Sequence, residues 1–356
     1  MKKIFPILVL LIIVAGAWYF IQSGSQAGSN TPLRSGDKLE QQQAKKVGDL
    51  SSPDLPVDPV DGSIDPEDAE DDYIDYDDRP AAEIYKTEEE ALKAIEEGAK
   101  DYDDIVLEQF TEPGPDCTWC ESFYATLTEK MLAPSLDEDS RSYFAEVLAI
   151  SGKVEHIKTL VKAIDDAGDS DAADIYAEAL ELTIGGNDVV GYLTPFLDSK
   201  NELLQESAVA AVTNQGSKLA AETLYQHTVV AGDPDGYYSL GIGLAELIPE
   251  EETLPYLNEL VAKRDKYSHL AVKALLNYGL EGVKIVFDSL TNSQDAVADK
   301  KMLEDAIDHV NYEDEIEAYL KKVVGTSKQP LVVEFAKEAL EDFSLDDEYD
   351  DEEDEE

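Results

Sequence analysis

Ser207-Ala-Val-Ala-Ala-Val-Thr-Asn-Gln-Gly216 superposes on Leu270-Ala-Val-Lys-Ala-Leu-Leu-Asn-Tyr-Gly279, and Phe335-Ala-Lys-Glu-Ala-Leu340 fits the start of the second stretch. Tyr176-Ala177-Glu178 echoes Phe144-Ala145-Glu146. A small residue thus recurs at Ala145, Ala177, Ala208, Ala271 and Ala336, and a glycine follows at Gly152, Gly185, Gly216 and Gly279. The physical reading is a helix whose alanine lets a neighbour approach closely and whose glycine supplies a left-handed cap at the carboxyl end. First helices are expected to begin near Asp139, Ser170, Glu202, Gly236, Asp265, Gln294 and Lys328. A second amphipathic segment follows each: Val154 to Ile164, Val189 to Leu197, Leu219 to Val230, Leu254 to Val261, Val283 to Leu290 and Ile316 to Val324.

The period is about 30 to 33 residues, and two short helices per period cannot each bury an apolar face alone. Stacked, they form an α-solenoid with a continuous core. Residues 135–343 therefore read as about six two-helix units and a terminal helix, in an all-α chain. The pattern resembles the HEAT-like family, in particular its shorter bacterial repeats. It departs from fuller HEAT patterns in lacking a regular Pro and an Asp/Arg pair in each unit. That resemblance implies an extended surface suited to protein partners.

Outside the repeats the chain divides by composition. Residues 1–22 hold Lys2 and Lys3, then an uncharged apolar run from Ile4 to Ile21. As a helix that run would extend roughly 27 Å, enough for a bilayer core. The lysines on its amino side place the amino terminus inside and the bulk outside. The competing reading is a cleaved signal peptide, with small residues suitably spaced at Ala15-Gly16-Ala17 and Ser25-Gln26-Ala27. Either way the folded part is expected to be extracytoplasmic, anchored in the inner membrane by a single pass or, after cleavage, secreted or periplasmic. Residues 23–81 show no periodicity and read as a disordered linker, acidic in its second half. Such a linker reaches about 45 Å. Residues 82–134 read as a helical cap that opens on a capping box, Thr87-Glu88-Glu89-Glu90, with Ala91, Leu92 and Ile95 on one face. Residues 344–356 are almost wholly acidic and read as a disordered tail.

The chain of 356 residues carries 79 acidic and 28 basic side chains, for a net charge of −51. Its hydrophobic fraction of 43% is that of a globular protein. The first fifty residues carry +3, residues 51–83 carry −12, residues 341–356 carry −12, and −30 remains for the folded region between. This balance excludes a phosphate-tracking nucleic-acid binder. It favours basic protein partners, by steering more than by affinity.

Cys117-Thr118-Trp119-Cys120 holds the sole cysteines. In an exported chain such a pair reads as a disulfide. Asp116 could cap a helix running through Cys117 into Phe123 and Leu127, and a helix amino terminus lowers a thiol's pKa. With a strand at Ile105 to Phe110, the segment looks locally like a thioredoxin active-site element over about 25 residues. A structural staple, a thiol–disulfide exchange site and a metal site are the three readings. Metal is the poorest, since two thiolates need two further ligands. Glu121 stands where haem attachment needs a histidine.

No nucleophile elbow, phosphate-binding loop or HExxH motif is present. No catalytic residue, metal or cofactor is assigned. The four histidines, His156, His227, His269 and His309, are dispersed and read as packed or surface groups. Gly241-Ile242-Gly243 reads as a helix-packing pair. Tyrosines number 18, and Tyr225, Tyr237, Tyr238, Tyr256 and Tyr267 gather in the central units as candidate partner-binding residues. The leading functional reading is a membrane-tethered scaffold or adaptor for protein–protein interaction. The alternative is an exported thiol–disulfide module built on Cys117 and Cys120. A weaker third is an enzyme that uses its repeats to cradle a cofactor during attachment, supported by fold class alone.

Overall fold

Ala145, Ala177, Ala208, Ala271 and Ala336 are all buried, and Gly152, Gly185, Gly216 and Gly279 all have positive φ. The computed structural model describes residues 79–350, apart from 112, 113, 115, 116, 169, 233–239 and 312, with backbone alone for 344–350. The expected anchor and most of the expected linker lie outside these residues. Among the described residues there is no strand, and no helix is long and apolar enough to cross a membrane.

The cap comprises α1 (Ala81–Ile84), α2 (Glu88–Asp101), α3 (Asp104–Gln109) and α4 (Cys120–Met131). Thr87 caps α2 by accepting the Glu90 amide. The Glu90 carboxylate closes the box one residue early, on the Lys86 amide at 2.7 Å. The expected strand at Ile105 to Phe110 is instead α3. Asp103 Oδ1 accepts the Ile105 and Val106 amides and so nucleates a helix. The helix after the cysteines starts at Cys120 rather than Cys117, and Asp116 lies outside the described residues. With neither the strand nor that helix start, the thioredoxin likeness does not hold.

The repeats follow as helix pairs: α5 (Glu138–Ile150) with α6 (Val154–Ala167), α7 (Asp171–Glu181) with α8 (Gly186–Leu193), and α9 (Glu202–Thr213) with α10 (Lys218–Ala231). Then come α11 (Leu240–Ala245) with α12 (Leu254–Lys263), α13 (Ser268–Leu276) with α14 (Leu280–Thr291), and α15 (Ala296–Met302) with α16 (Asp314–Thr326). First helices pack on first helices from α5 to α15, and second helices follow suit except between α10 and α12, where α10 meets the 3-10 turn Glu251–Thr253, which gives two layers over one apolar core. This is a helical repeat.

The terminal helix α17 spans Pro330–Asp350, past Phe343 where the tail was expected to begin. Val332, Phe335, Ala336 and Ala339 bury its first turns. Once such a helix is nucleated, each further acidic residue adds only a propagation step.

The glycine turns bring successive units into backbone contact. A Cβ on Gly185 would lie 2.4 Å from the Gly152 carbonyl oxygen, and one on Gly216 would lie 2.4 Å from that of Ile248. No side chain fits either place. The repeated asparagine ahead of the glycine has one job in both copies. Asn214 Nδ2 donates to Glu181 O at 2.5 Å, and Asn277 Nδ2 donates to Ala245 O at 2.9 Å. Each side chain thereby satisfies the carboxyl end of the preceding first helix, where carbonyls lack intrahelical partners.

Candidate interaction surface

Half-buried tyrosines recur along the second helices: Tyr192 on α8, Tyr225 on α10, Tyr256 on α12 and Tyr319 on α16. Three are followed by a leucine that is wholly buried, in Tyr192-Leu193, Tyr256-Leu257 and Tyr319-Leu320. The leucine fixes the helix on the core, so its neighbour lies at the rim, half-buried. Sequence reading marked Tyr225 and Tyr256 but missed Tyr192 and Tyr319. The recurring Tyr-Leu pair was the available signal.

Lysines sit over three of these four rings. Lys158 Nζ is 5.6 Å from the Tyr192 centroid, Lys263 Nζ 4.4 Å from that of Tyr225, and Lys284 Nζ 5.8 Å from that of Tyr319. Each lysine comes from a neighbouring unit, so cation–π contacts cross the unit boundaries. Lys263 also donates to the Tyr225 hydroxyl at 3.1 Å. Burial, followed by the carboxylates of Glu222 and Glu259, pushes the Tyr256 phenol well above the ordinary tyrosine range. Burial and Asp165 raise Tyr192, and burial and Asp288 raise Tyr319. The row is thus aromatic, flanked by acids, and already tuned to cations.

Tyr267 is not on the row. It is 8% exposed at the start of α13, with its ring edge-on to Tyr225 at 6.1 Å and Lys266 Nζ 4.6 Å from its centroid. It supports Tyr225 from beneath. Tyr237 and Tyr238 lie outside the described residues. Val229 and Val230, at the end of α10, are exposed beside this group.

Cys117 and Cys120 are joined in a disulfide, with Cα atoms 5.5 Å apart. They stand apart from the tyrosine row, in the cap. Trp119 between them packs on Phe110 and Phe123, and its indole N–H donates to Tyr85 O at 3.2 Å. Among the described residues no group of three or more metal-binding side chains converges.

His156 is packed: its ring lies 4.4 Å from that of Tyr124, and Nδ1 is 2.6 Å from Ser151 Oγ. His309 Nδ1 is 3.1 Å from Asn277 Oδ1. Burial drives both imidazoles down to about 4, helped by Lys153 and Lys273 respectively, so both are neutral at neutral pH. His227 pairs with Asp198 at 3.1 Å.

No protein-family model matches the chain, and no curated protein matches it. Among solved structures, a designed armadillo repeat protein is similar over 61% of this chain and 98% of its own, at 18% identity and a TM-score of 0.22. The repeat architecture rests on the helix pairs and glycine turns described above.

Proposed function

We propose that this chain is a HEAT-like scaffold that binds a basic protein partner along the tyrosine row, and that its amino-terminal segment tethers it on the outer side of a membrane. The row itself carries the reading. Half-buried tyrosines supply apolar area with a polar tip at small entropic cost, which is what recognition surfaces use. The chain's own lysines already occupy the ring faces, and Glu222 and Glu259 stand beside Tyr256. A partner's lysine or arginine would meet the same rings and carboxylates. The −30 carried by residues 84–340 would steer it there. The tether reading rests on Lys2, Lys3 and the apolar run from Ile4 to Ile21.

A photo-crosslinking residue at exposed Gln226, next to Tyr225, tests the row in intact cells. The expected result is an adduct with one basic protein. It should be lost in a Tyr225→Ala, Tyr256→Ala double variant and weakened by salt. An adduct pattern unchanged by the double variant overturns the surface. The chain should also stay with membranes through an alkaline wash and be cut by protease added to spheroplasts, whose inner membrane is intact. Protection from that protease overturns the location.

A further inference from the structure

We infer that the Cys117–Cys120 disulfide is a thiol–disulfide exchange site that oxidises a partner dithiol, with Cys117 as the sulfur attacked and Cys120 as the thiolate that leaves. Three observations in the cap carry this.

The first is the asymmetry of exposure. Cys117 is half-buried, lies outside any helix, and is followed by exposed Thr118. Cys120 is 6% exposed. Cys117, although it packs on the core, is the more open of the two to a nucleophile from solvent, and Cys120 is the more shielded. The second is the helix. Cys120 is the first residue of α4, a helix of 12 residues. Its N-cap is Trp119, whose side chain offers no oxygen to the first-turn amides, and no side-chain cap hydrogen bond is made there. A thiolate at Cys120 would meet those amides and the positive end of the helix, which lowers a thiol's pKa against the apolar burial that raises it. A leaving thiol of low pKa leaves faster. The third is that the bond is a poor staple. It closes a sequence separation of only 3, and short loops restrain the unfolded chain least. The cap is tied to the repeats by other means, above all Arg141, which reaches carbonyls behind α4 and the hydroxyl of Tyr176 on α7.

Trp119 makes the site durable. Its ring is wedged between Phe110 and Phe123 and hydrogen-bonded to Tyr85 O, and these contacts do not depend on the disulfide. Opening the bond therefore leaves the N-cap and Cys120 in place. Glu121, exposed in the first turn, opposes the thiolate by its charge.

The chemistry balances as follows. A thiolate of the substrate dithiol attacks Cys117 Sγ, forming a mixed disulfide and breaking the Cys117–Cys120 bond. The electron pair of that bond leaves on Cys120 Sγ. The substrate's second thiolate then attacks its own sulfur in the mixed disulfide and expels Cys117 as a thiolate. The two protons from the substrate thiols balance the two new cysteine thiolates. Two electrons have moved from the dithiol, now a disulfide, to the Cys117–Cys120 pair.

The test uses the folded full-length chain with dithiothreitol as the dithiol, quenched by acid and read by mass spectrometry after alkylation. The expected result is reduction under native conditions, with helix content by circular dichroism unchanged. Reduction only after denaturant is added overturns the proposal. The assignment of roles is tested with an aromatic disulfide reagent on single variants that keep the wild-type helix content. Cys120→Ser should capture the reagent at Cys117 about tenfold faster than Cys117→Ser captures it at Cys120, because capture follows access as well as thiolate content. Equal rates, or the reverse order, overturn it. Glu121→Gln should speed reduction of the wild-type pair, and slower reduction would contradict the leaving-group role.

Discussion

Arg141 shows how much of the fold can rest on one side chain. It is buried, and its guanidinium donates to Met131 O at 2.8 Å, to Ala133 O and Leu136 O at 3.1 Å each, and to the Tyr176 hydroxyl at 2.9 Å. Three of these acceptors are carbonyls at and beyond the end of α4, and of them Ala133 O also accepts the Leu136 amide. The fourth belongs to the next unit. One residue thus closes the cap and docks it on the first two repeats. Arg141→Ala removes four hydrogen bonds, two of them buried, and the expected loss is about 3 kcal/mol in urea unfolding. Arg141→Lys keeps the charge but not the planar fork, so it should recover less than half of that loss. Full recovery by lysine would show that charge alone matters. Nothing in the sequence marked Arg141, because its acceptors are backbone atoms that any residue supplies.

At the scale of elements, what was legible depended on whether a feature repeats. The alanine and glycine pattern named the first helices and their turns, since close packing and a positive φ each admit few residue types. The segment Ile105 to Phe110 was misread because a short apolar run has no period of its own. The capping Asp103 was the better guide. The tyrosine row was half-legible: clustering picked out its centre, while Tyr192 and Tyr319 were marked only by the Tyr-Leu pair they share with Tyr256.

Gly243 supplies a test at this scale. A Cβ there would lie 2.6 Å from Val209 Cγ1 and 2.8 Å from Thr213 Oγ1, where α11 crosses α9. Gly243→Ala must push α11 away from α9. Overpacking of this kind costs about 1–3 kcal/mol, against about 1 kcal/mol regained from helix propensity. The net expectation is a lower unfolding midpoint. Gly191 on α8 is exposed, with open space around its Cβ position. Gly191→Ala should therefore stabilise, by about 0.5–1 kcal/mol. If both variants shift the midpoint the same way, close helix approach at Gly243 is not what its glycine serves.

On the scale of the whole molecule, charge and burial set opposed limits on stability. His156 and His309 titrate near 4 when folded and near their ordinary 6.5 when unfolded. Between those values the unfolded chain binds more protons, so stability falls as pH falls through the window. Glu181 works the other way. Burial, then the carboxylates of Glu178 and Glu206, raise it from 4.5 to about 7. Between 4.5 and 7 the folded chain binds more protons, so stability falls as pH rises. The same sign comes from the repulsion within a folded region carrying −30, which grows as carboxyls ionise. The thermal midpoint should therefore peak at about pH 6 and decline on both sides. Glu181→Gln removes a contribution that changes throughout pH 4.5 to 7, on both sides of the peak. Its midpoint at pH 8 should lie above that of the wild type, and the climb between pH 4.5 and 6 should be steeper, because the two histidines then act unopposed. Salt at about 1 M shortens the screening length to about 3 Å, so it should raise the wild-type midpoint at pH 8 more than at pH 5. A midpoint for Glu181→Gln at pH 8 equal to or below the wild type would mean that its buried carboxyl is held by a favourable contact rather than crowded by its neighbours.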